Sequence, residues 1–323
     1  MIRFILARLV KAVVILLAIL VLNFTLIHMA PGDPAAVMAG EAGATDEQFL
    51  EDLRRRFGLD QPFLVQLWIY VKGAIQLDLG YSYRRGMPVA ELLWDRLPAT
   101  LLLTGTAFFI SIILGVIAGV AAAARQGRWG DTIISTLALL FYATPLFWIA
   151  LMSVLLFSVV LGWLPGFGYE TVGANYTGIE RVIDIGRHLI LPATTLGLFF
   201  TAVYMRMTRA SMLEVSRLDF VKTARAKGLK PRVIQRRHIL RNALLPVITL
   251  AGLQAGQIVG GAVLTETVFA WPGIGRLMFE AINQRDYNVL LGVFFVSAAM
   301  VLLFNLITDI IYVLVDPRIR ITQ

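Results

Sequence analysis

The stretch RLDFVKTARAKGLKPRVIQRRHILRNALLP, residues 217–246, is a polar island between long apolar runs, and its reading decides how the chain is arranged. Nine bases lie in it (Arg217, Lys222, Arg225, Lys227, Lys230, Arg232, Arg236, Arg237, Arg241) against the single acid Asp219. Loops this rich in Lys and Arg sit on the cytoplasmic side of a membrane. Asp219 is placed to cap a first short helix through Lys222, Thr223, Ala224, Arg225, Ala226 and Lys227. Gly228 ends that helix, because glycine enters a left-handed turn without steric cost. After Leu229, Pro231 stands where a first-turn proline is accepted and opens a second helix reaching Arg241 and Asn242. Two short helices about a glycine turn form a shape that another protein can grip.

Composition fixes the class around this island. The chain has 323 residues, 58% of them hydrophobic and 15% charged, and a mean hydropathy of +0.75. That is too apolar for a soluble globule, and the expected fold is all-α and polytopic, with about six transmembrane helices. Cysteine is absent, which excludes disulfides, thiolate metal sites and a cysteine nucleophile. His28, His188 and His238 are scattered without ligand spacing, so no metal site is expected.

In chain order, a basic start with Arg3, Arg8 and Lys11 leads into an apolar run over 12–29. This run is longer than the apolar core of a signal peptide and ends in APGDP without a small-x-small cleavage site, so it is read as a retained first span. Residues 30–96 form a soluble insertion with ten acids and seven bases. Helical spacing of Phe49, Leu50, Leu53 and Phe57 predicts an amphipathic helix over 46–57, capped by Thr45 or Asp46, and a second apolar face falls within 62–79. Further spans are expected at 100–123, at 132–161 with a kink at Pro145, and at 189–207, 244–263 and 289–315. An irregular outer loop is expected at 162–187, and 265–288 returns outside. The organisation expected is therefore an N-terminal span and insertion (1–95), a five-helix domain (96–316) carrying the basic loop (208–243), and a tail (317–323).

Charge supports this topology. One side collects eighteen bases and four acids, the other eleven bases and sixteen acids, with Asp309 inside the last span. Both termini are thus expected in the cytoplasm, and the net charge of +8 needs no nucleic acid to explain it.

Within the spans, Gly252, Gly256 and Gly260 recur every fourth residue, as Gly115 and Gly119 do earlier, so that a helix backbone can approach closely. The neighbour is either another helix of this chain or a second membrane subunit; spacing serves both. Gln254, Gln257, Asn305 and Asp309, with Asn23 and His28, are polar groups in the lipid zone and candidates to line an aqueous path. Asp309 has a second reading, pairing at the cytoplasmic interface. No catalytic residues are expected: there is no P-loop, no HExxH and no GxSxG. The basic island has two readings as well, orientation with contact to anionic lipid, or docking of a partner. Orientation needs only a few bases, and nine on two short helices favour docking.

TARAKGL (223–229) followed by RRHILRNALLP (236–246) resembles the coupling loop of ABC importer permeases of the dipeptide and oligopeptide branch. APGDP (30–34), FGLDQPFLVQ (57–66), LDLGYSYRRGMPV (77–89), RLPATL (96–101), ETVFAWPGIGRL (266–277), INQRDYNVL (282–290) and VDPRIR (315–320) extend the likeness across most of the chain. The general permease signature has Glu-Ala-Ala where this chain has Lys222, Thr223 and Ala224, and its Leu-Pro falls closer to the glycine than Leu245-Pro246 does here. The resemblance implies a type I importer fold in the bacterial inner membrane. It also implies a second homologous permease, two ATP-binding subunits that carry ATP and Mg, and an extracytoplasmic substrate-binding protein. This chain would hold no cofactor of its own. Residues 219–231 would dock on an ATPase, and Trp271, Pro272 and Gly273, together with the 30–96 insertion, would receive the binding protein. Peptide is the expected cargo, with nickel complexes, glutathione and opines carried by related machinery. An ATP-independent channel or secondary transporter is the alternative of another class, and it would call for charged spans or inverted repeats.

Overall fold

The residue before a proline is pushed out of the α region, and this rule breaks the chain where the sequence predicts only a kink. Thr144, ahead of Pro145, is extended (φ −82°, ψ 135°), and the helices on either side, Trp129–Ala143 and Leu146–Val160, meet at 101°. The expected continuous third span is therefore a broken one. The computed structural model describes residues 2–29, 47–56 and 60–315; the side chains at 2–5, 7, 47, 49, 52, 53, 56, 253, 255–261, 309 and 311–315 are outside the description.

The helices, in order, are α1 (Ile2–Met29), α2 (Glu47–Arg56), α3 (Phe63–Ile75), α4 (Val89–Ala124), α5 (Trp129–Ala143), α6 (Leu146–Ser153), α7 (Gly178–Val215), α8 (Asp219–Ala226), α9 (Arg241–Val268), α10 (Ile274–Gln284) and α11 (Tyr287–Val315). Among the described residues, α1, α4, α7 and α11 contain segments long and apolar enough to cross a membrane, and the bent α5–α6 pair makes a fifth if it counts as one span. The 28-residue α9 stands where the span over 244–263 is expected. Wider, π-helical turns extend α6 over Val154–Val160 and lead into α9 over Ile234–Leu240.

Several boundaries differ from the sequence reading. The α4 helix starts at Val89 and carries Pro98 inside it, so the second span begins before residue 100. The α7 helix starts at Gly178, which makes helix of ten residues expected as loop. Periodicity locates apolar stretches, whereas these helices continue past them into polar sequence. Residues 265–288 hold the end of α9 and all of α10. The second helix of the basic island does not stop at Asn242 but runs on through Pro246 to Val268, since an in-helix proline is tolerated where neighbours satisfy the freed carbonyl. The APGDP segment, Thr45, Asp46, Phe57 and the tail after 315 lie outside the described residues.

The chain forms two compact units. The first comprises Met1–Pro98 with Gly273–Leu306. There α3 lies on α1: Phe24 stacks on His28 at 3.8 Å and on Tyr70 at 5.4 Å, and His28 Nε2 is 3.1 Å from Gln66 Oε1. Its core joins Val89, Leu92 and Leu93 of α4 to Ile274, Leu277 and Ala281 of α10 and Val289 to Val293 of α11. A small hairpin, β1 (Tyr81–Ser82) and β2 (Met87–Pro88), pairs Ser82 with Met87. The Ser82 hydroxyl donates to Asp286, whose other oxygen accepts from the Val289 N–H at the start of α11.

The second unit comprises Ala99–Pro272 with Ile307–Gln323, and α7 runs through its centre. Leu196, Phe200 and Tyr204 of α7 pack with Leu103 and Ala107 of α4, Val247 and Ala262 of α9, and Trp271. A Cβ at Gly115 would lie 2.4 Å from Tyr204 Cβ, and one at Gly119 would lie 2.5 Å from Thr208 Cβ. Glycine is required at both because α4 and α7 touch there backbone to side chain.

Candidate functional site

The basic island folds as a short amphipathic helix pinned by one face. Val221 and Ala224 of α8, three residues apart, are buried against Met212, Ile234, Ile239 and Ala243. Burial of this face fixes the helix on the unit and turns the opposite face outward. All nine bases from Arg217 to Arg241 are exposed, as are Thr223, Ala226, Gly228 and Pro231. Four apolar side chains stand out among them: Leu218, Phe220, Leu229 and Val233, each about two-fifths exposed (46, 41, 39 and 39%). Hydration alone has no use for exposed apolar groups inside a charged patch, whereas a protein partner covers them.

Asp219 is not the cap. It is the first residue of α8, while Leu218 holds the capping position with an extended backbone and no side-chain bond. An acid there still suits the positive helix N-terminus, and Asp219 Oδ1 accepts from Lys222 Nζ at 2.8 Å. Both partners are exposed, so the pair adds little stability. At the other end Gly228 has φ +75°, its N–H bonds the Arg225 carbonyl at 2.9 Å, and the Leu229 N–H reaches Ala224 at 3.4 Å. These bonds close the carbonyl end of the helix. Pro231 opens a short helical turn, Pro231–Val233, that leads into the π-helical stretch before α9.

Behind this surface lies an ion pair that the sequence reading counts only as two charges. Arg209 of α7 grips Asp131 of α5 with two prongs, Nε to Oδ1 and Nη2 to Oδ2, both at 2.7 Å. The Asp131 side chain is 9% exposed, and its oxygens also accept from the Gly127 N–H at 3.3 Å and the Ser135 hydroxyl at 3.5 Å. Opposite charges at the ends of two apolar helices are the signal that could have found it.

The other candidates are placed as follows. Gly252 of α9 faces Thr308 of α11, whose hydroxyl donates to the Gly252 carbonyl at 3.2 Å, so here the close neighbour is a helix of the same chain. The surroundings of Gly256 and Gly260 and the side chains of Gln257 and Asp309 lie outside the described residues. Gln254 is half-buried, with no bond to its Oε1 among the described residues, and Asn305 is exposed. Trp271 points inward: it is fully buried, donates its indole N–H to the Ala99 carbonyl at 2.8 Å and meets Tyr169 edge-on at 4.8 Å. Gly273 is buried too, leaving only Pro272 partly exposed, because the apolar bulk of the indole is better spent in the core than at the surface. Beside it, the buried Glu266 accepts from the Thr100 hydroxyl at 2.7 Å. Among the described residues, no group of three or more His, Asp or Glu side chains is placed to hold a metal.

Comparison with known proteins covers nearly the whole chain. Residues 111–321 match the family described as binding-protein-dependent transport system inner membrane component, and residues 1–104 match its N-terminal counterpart. The dipeptide transport system permease protein DppB of Alkalihalophilus pseudofirmus is 41% identical over 99% of this chain and 100% of its own length. The glutathione transport system permease protein GsiC of Escherichia coli is 39% identical over 99% of each. Among solved structures, the inward-facing MetNI methionine ABC transporter superposes on 70% of this chain and 96% of its own, with a TM-score of 0.56 at 19% identity, which is a likeness of fold.

Proposed function

Because the chain belongs to the family of binding-protein-dependent transport system inner membrane components, a permease of ABC importers, we propose that it forms half of a peptide translocation path worked by two ATPase subunits. The observation that carries the docking role is α8: a helix anchored by Val221 and Ala224 whose outer face offers exposed bases and apolar side chains at once. An ATPase groove lined with acids and apolar residues fits that face, with electrostatics guiding the approach and the apolar contacts holding it. Closure of the ATPases on ATP then pushes α8, and the bundle behind it alternates between inward-facing and outward-facing states. Hydrolysis belongs to the partners; this chain supplies the gate. A homologous permease completes the path, a binding protein delivers cargo from outside, and the basic surface and both termini face the cytoplasm.

Short peptides are the proposed cargo, on the likeness to the dipeptide permease, and the likeness to the glutathione permease extends the range to modified tripeptides. The test is uptake of a radiolabelled dipeptide, and separately of glutathione, by proteoliposomes holding the complete transporter. Uptake should require ATP and the binding protein. Gly228→Val should abolish it and release the ATPases during purification, since a β-branched residue resists φ +75° although its Cβ would meet nothing within 4 Å. Uptake without nucleotide, or full uptake by Gly228→Val with ATPases still bound, would overturn the proposal.

A further inference from the structure

Three features of the second unit converge on the last four turns of α7. Tyr204 and Thr208 press on Gly115 and Gly119 of α4, so that α7 side chains meet the α4 backbone directly. Met212 is buried in the same cluster as Val221 and Ala224, the inward face of α8. Between them Arg209 takes hold of Asp131, the third residue of α5. A shift of α8 therefore reaches α7 through apolar packing, which permits sliding. It passes on to α5 through a two-pronged charged bond, which fixes both distance and angle.

We infer that Arg209 and Asp131 are positioning residues that lock α5 to α7, so that a push on α8 is delivered to the broken α5–α6 pair. The inference rests on the transporter reading above for the source of the push. Its geometry does not. The α5 helix has 15 residues and stops at the extended Thr144, so its far end carries the 101° break. The Asp131 carboxylate is nearly closed off from solvent, and the Gly127 N–H and the Ser135 hydroxyl occupy its remaining acceptor sites. The bond thus also holds the 125–130 turn, where Arg125 Cδ lies 2.6 Å from the position of a Cβ at Gly130. The Arg209 side chain stays partly exposed, but the Asp131 carboxylate gives up most of its water, so breaking the pair would leave a buried charge uncompensated.

The chain has no cysteine, so two introduced ones label it at chosen points. Spin labels at Leu137→Cys, an exposed residue of α5, and Glu214→Cys, exposed at the end of α7, report the α5–α7 distance in the complete transporter in nanodiscs. With the native pair the distance distribution should be narrow and stay in place between the nucleotide-free and ATP–vanadate states. In Asp131→Asn it should broaden. In the same preparations, dipeptide taken up per ATP hydrolysed should fall at least tenfold in Asp131→Asn, and less in Arg209→Lys, which keeps the charge but loses the fork. The charge exchange Asp131→Arg with Arg209→Asp should recover part of the loss. A broad or nucleotide-dependent native distribution, or an unchanged uptake-to-ATP ratio in Asp131→Asn, overturns the lock. If the distances behave as expected while the native complex shows no ATP-dependent uptake, the lock stands as a structural joint and the transporter reading falls.

Discussion

A methyl group added at Gly119 would lie 2.5 Å from Thr208 Cβ and 2.7 Å from the Met205 carbonyl oxygen, neither of which can swing away. Gly119→Ala should therefore destabilise the protein by about 1–3 kcal/mol, the usual range for overpacking, and lower the thermal midpoint of the purified complex. Across the same contact, the fully buried Tyr204 hydroxyl has no hydrogen-bond partner among the described residues. Removing an unbonded buried hydroxyl relieves desolvation and keeps the ring, so Tyr204→Phe should match or slightly exceed the native midpoint. A midpoint lowered by Tyr204→Phe would show that the hydroxyl has a partner. The need for small residues at 115 and 119 was legible as spacing. The identity of what presses on them was not, because a four-residue interval states that something approaches and says nothing of which helix does.

Charged bonds hold the hairpin of the first unit to the neighbouring α10. Arg85 reaches Glu280 at 2.6 Å and Arg276 reaches its other oxygen at 2.9 Å. Burial alone would raise the Glu280 carboxyl, but the Arg85 hydrogen bond and the charges of Arg276, Arg85 and Arg96 outweigh it and hold the group below its usual value near 4.5. A carboxyl held lower in the folded state contributes stability above its unfolded value, and that contribution disappears as pH falls through the folded one. The difference in thermal midpoint between the native protein and Glu280→Gln should accordingly be largest near neutral pH and shrink as pH falls below the usual carboxylate range. A difference that persists at low pH would assign Glu280 a packing role. At this scale the sequence reading located the long apolar helices and the Gly228 turn but not α10, since apolar runs and glycine act locally. It missed the two-stranded hairpin, whose strands have two residues each, too few to show a period. It also read Pro145 as a kink, because a proline motif does not say whether neighbouring packing will straighten or break the helix.

For the molecule as a whole, the proposed orientation follows from eighteen bases and four acids expected on one side against eleven and sixteen on the other. Lys227→Cys, placed on the exposed basic surface, should react with a membrane-impermeant maleimide in inside-out vesicles and stay unlabelled in right-side-out cells. Labelling from outside would invert the topology and remove the basic surface from any cytoplasmic partner. Family and class were legible because motifs and hydropathy are distributed along the entire chain. The Arg209–Asp131 bond was not, since 78 residues separate its ends and only folding shows that they meet. Connectivity carries a last consequence. The first 98 residues share a compact unit with residues 273–306, so Val89, Leu92 and Leu93 wait for Ile274, Leu277 and Val289 until most of the polypeptide has been made. During synthesis the ribosome therefore releases an amino-terminal third well before the α10 and α11 residues that complete its core. Premature stop codons after the middle of the message should yield fragments that membrane proteases clear, rather than stable half-proteins.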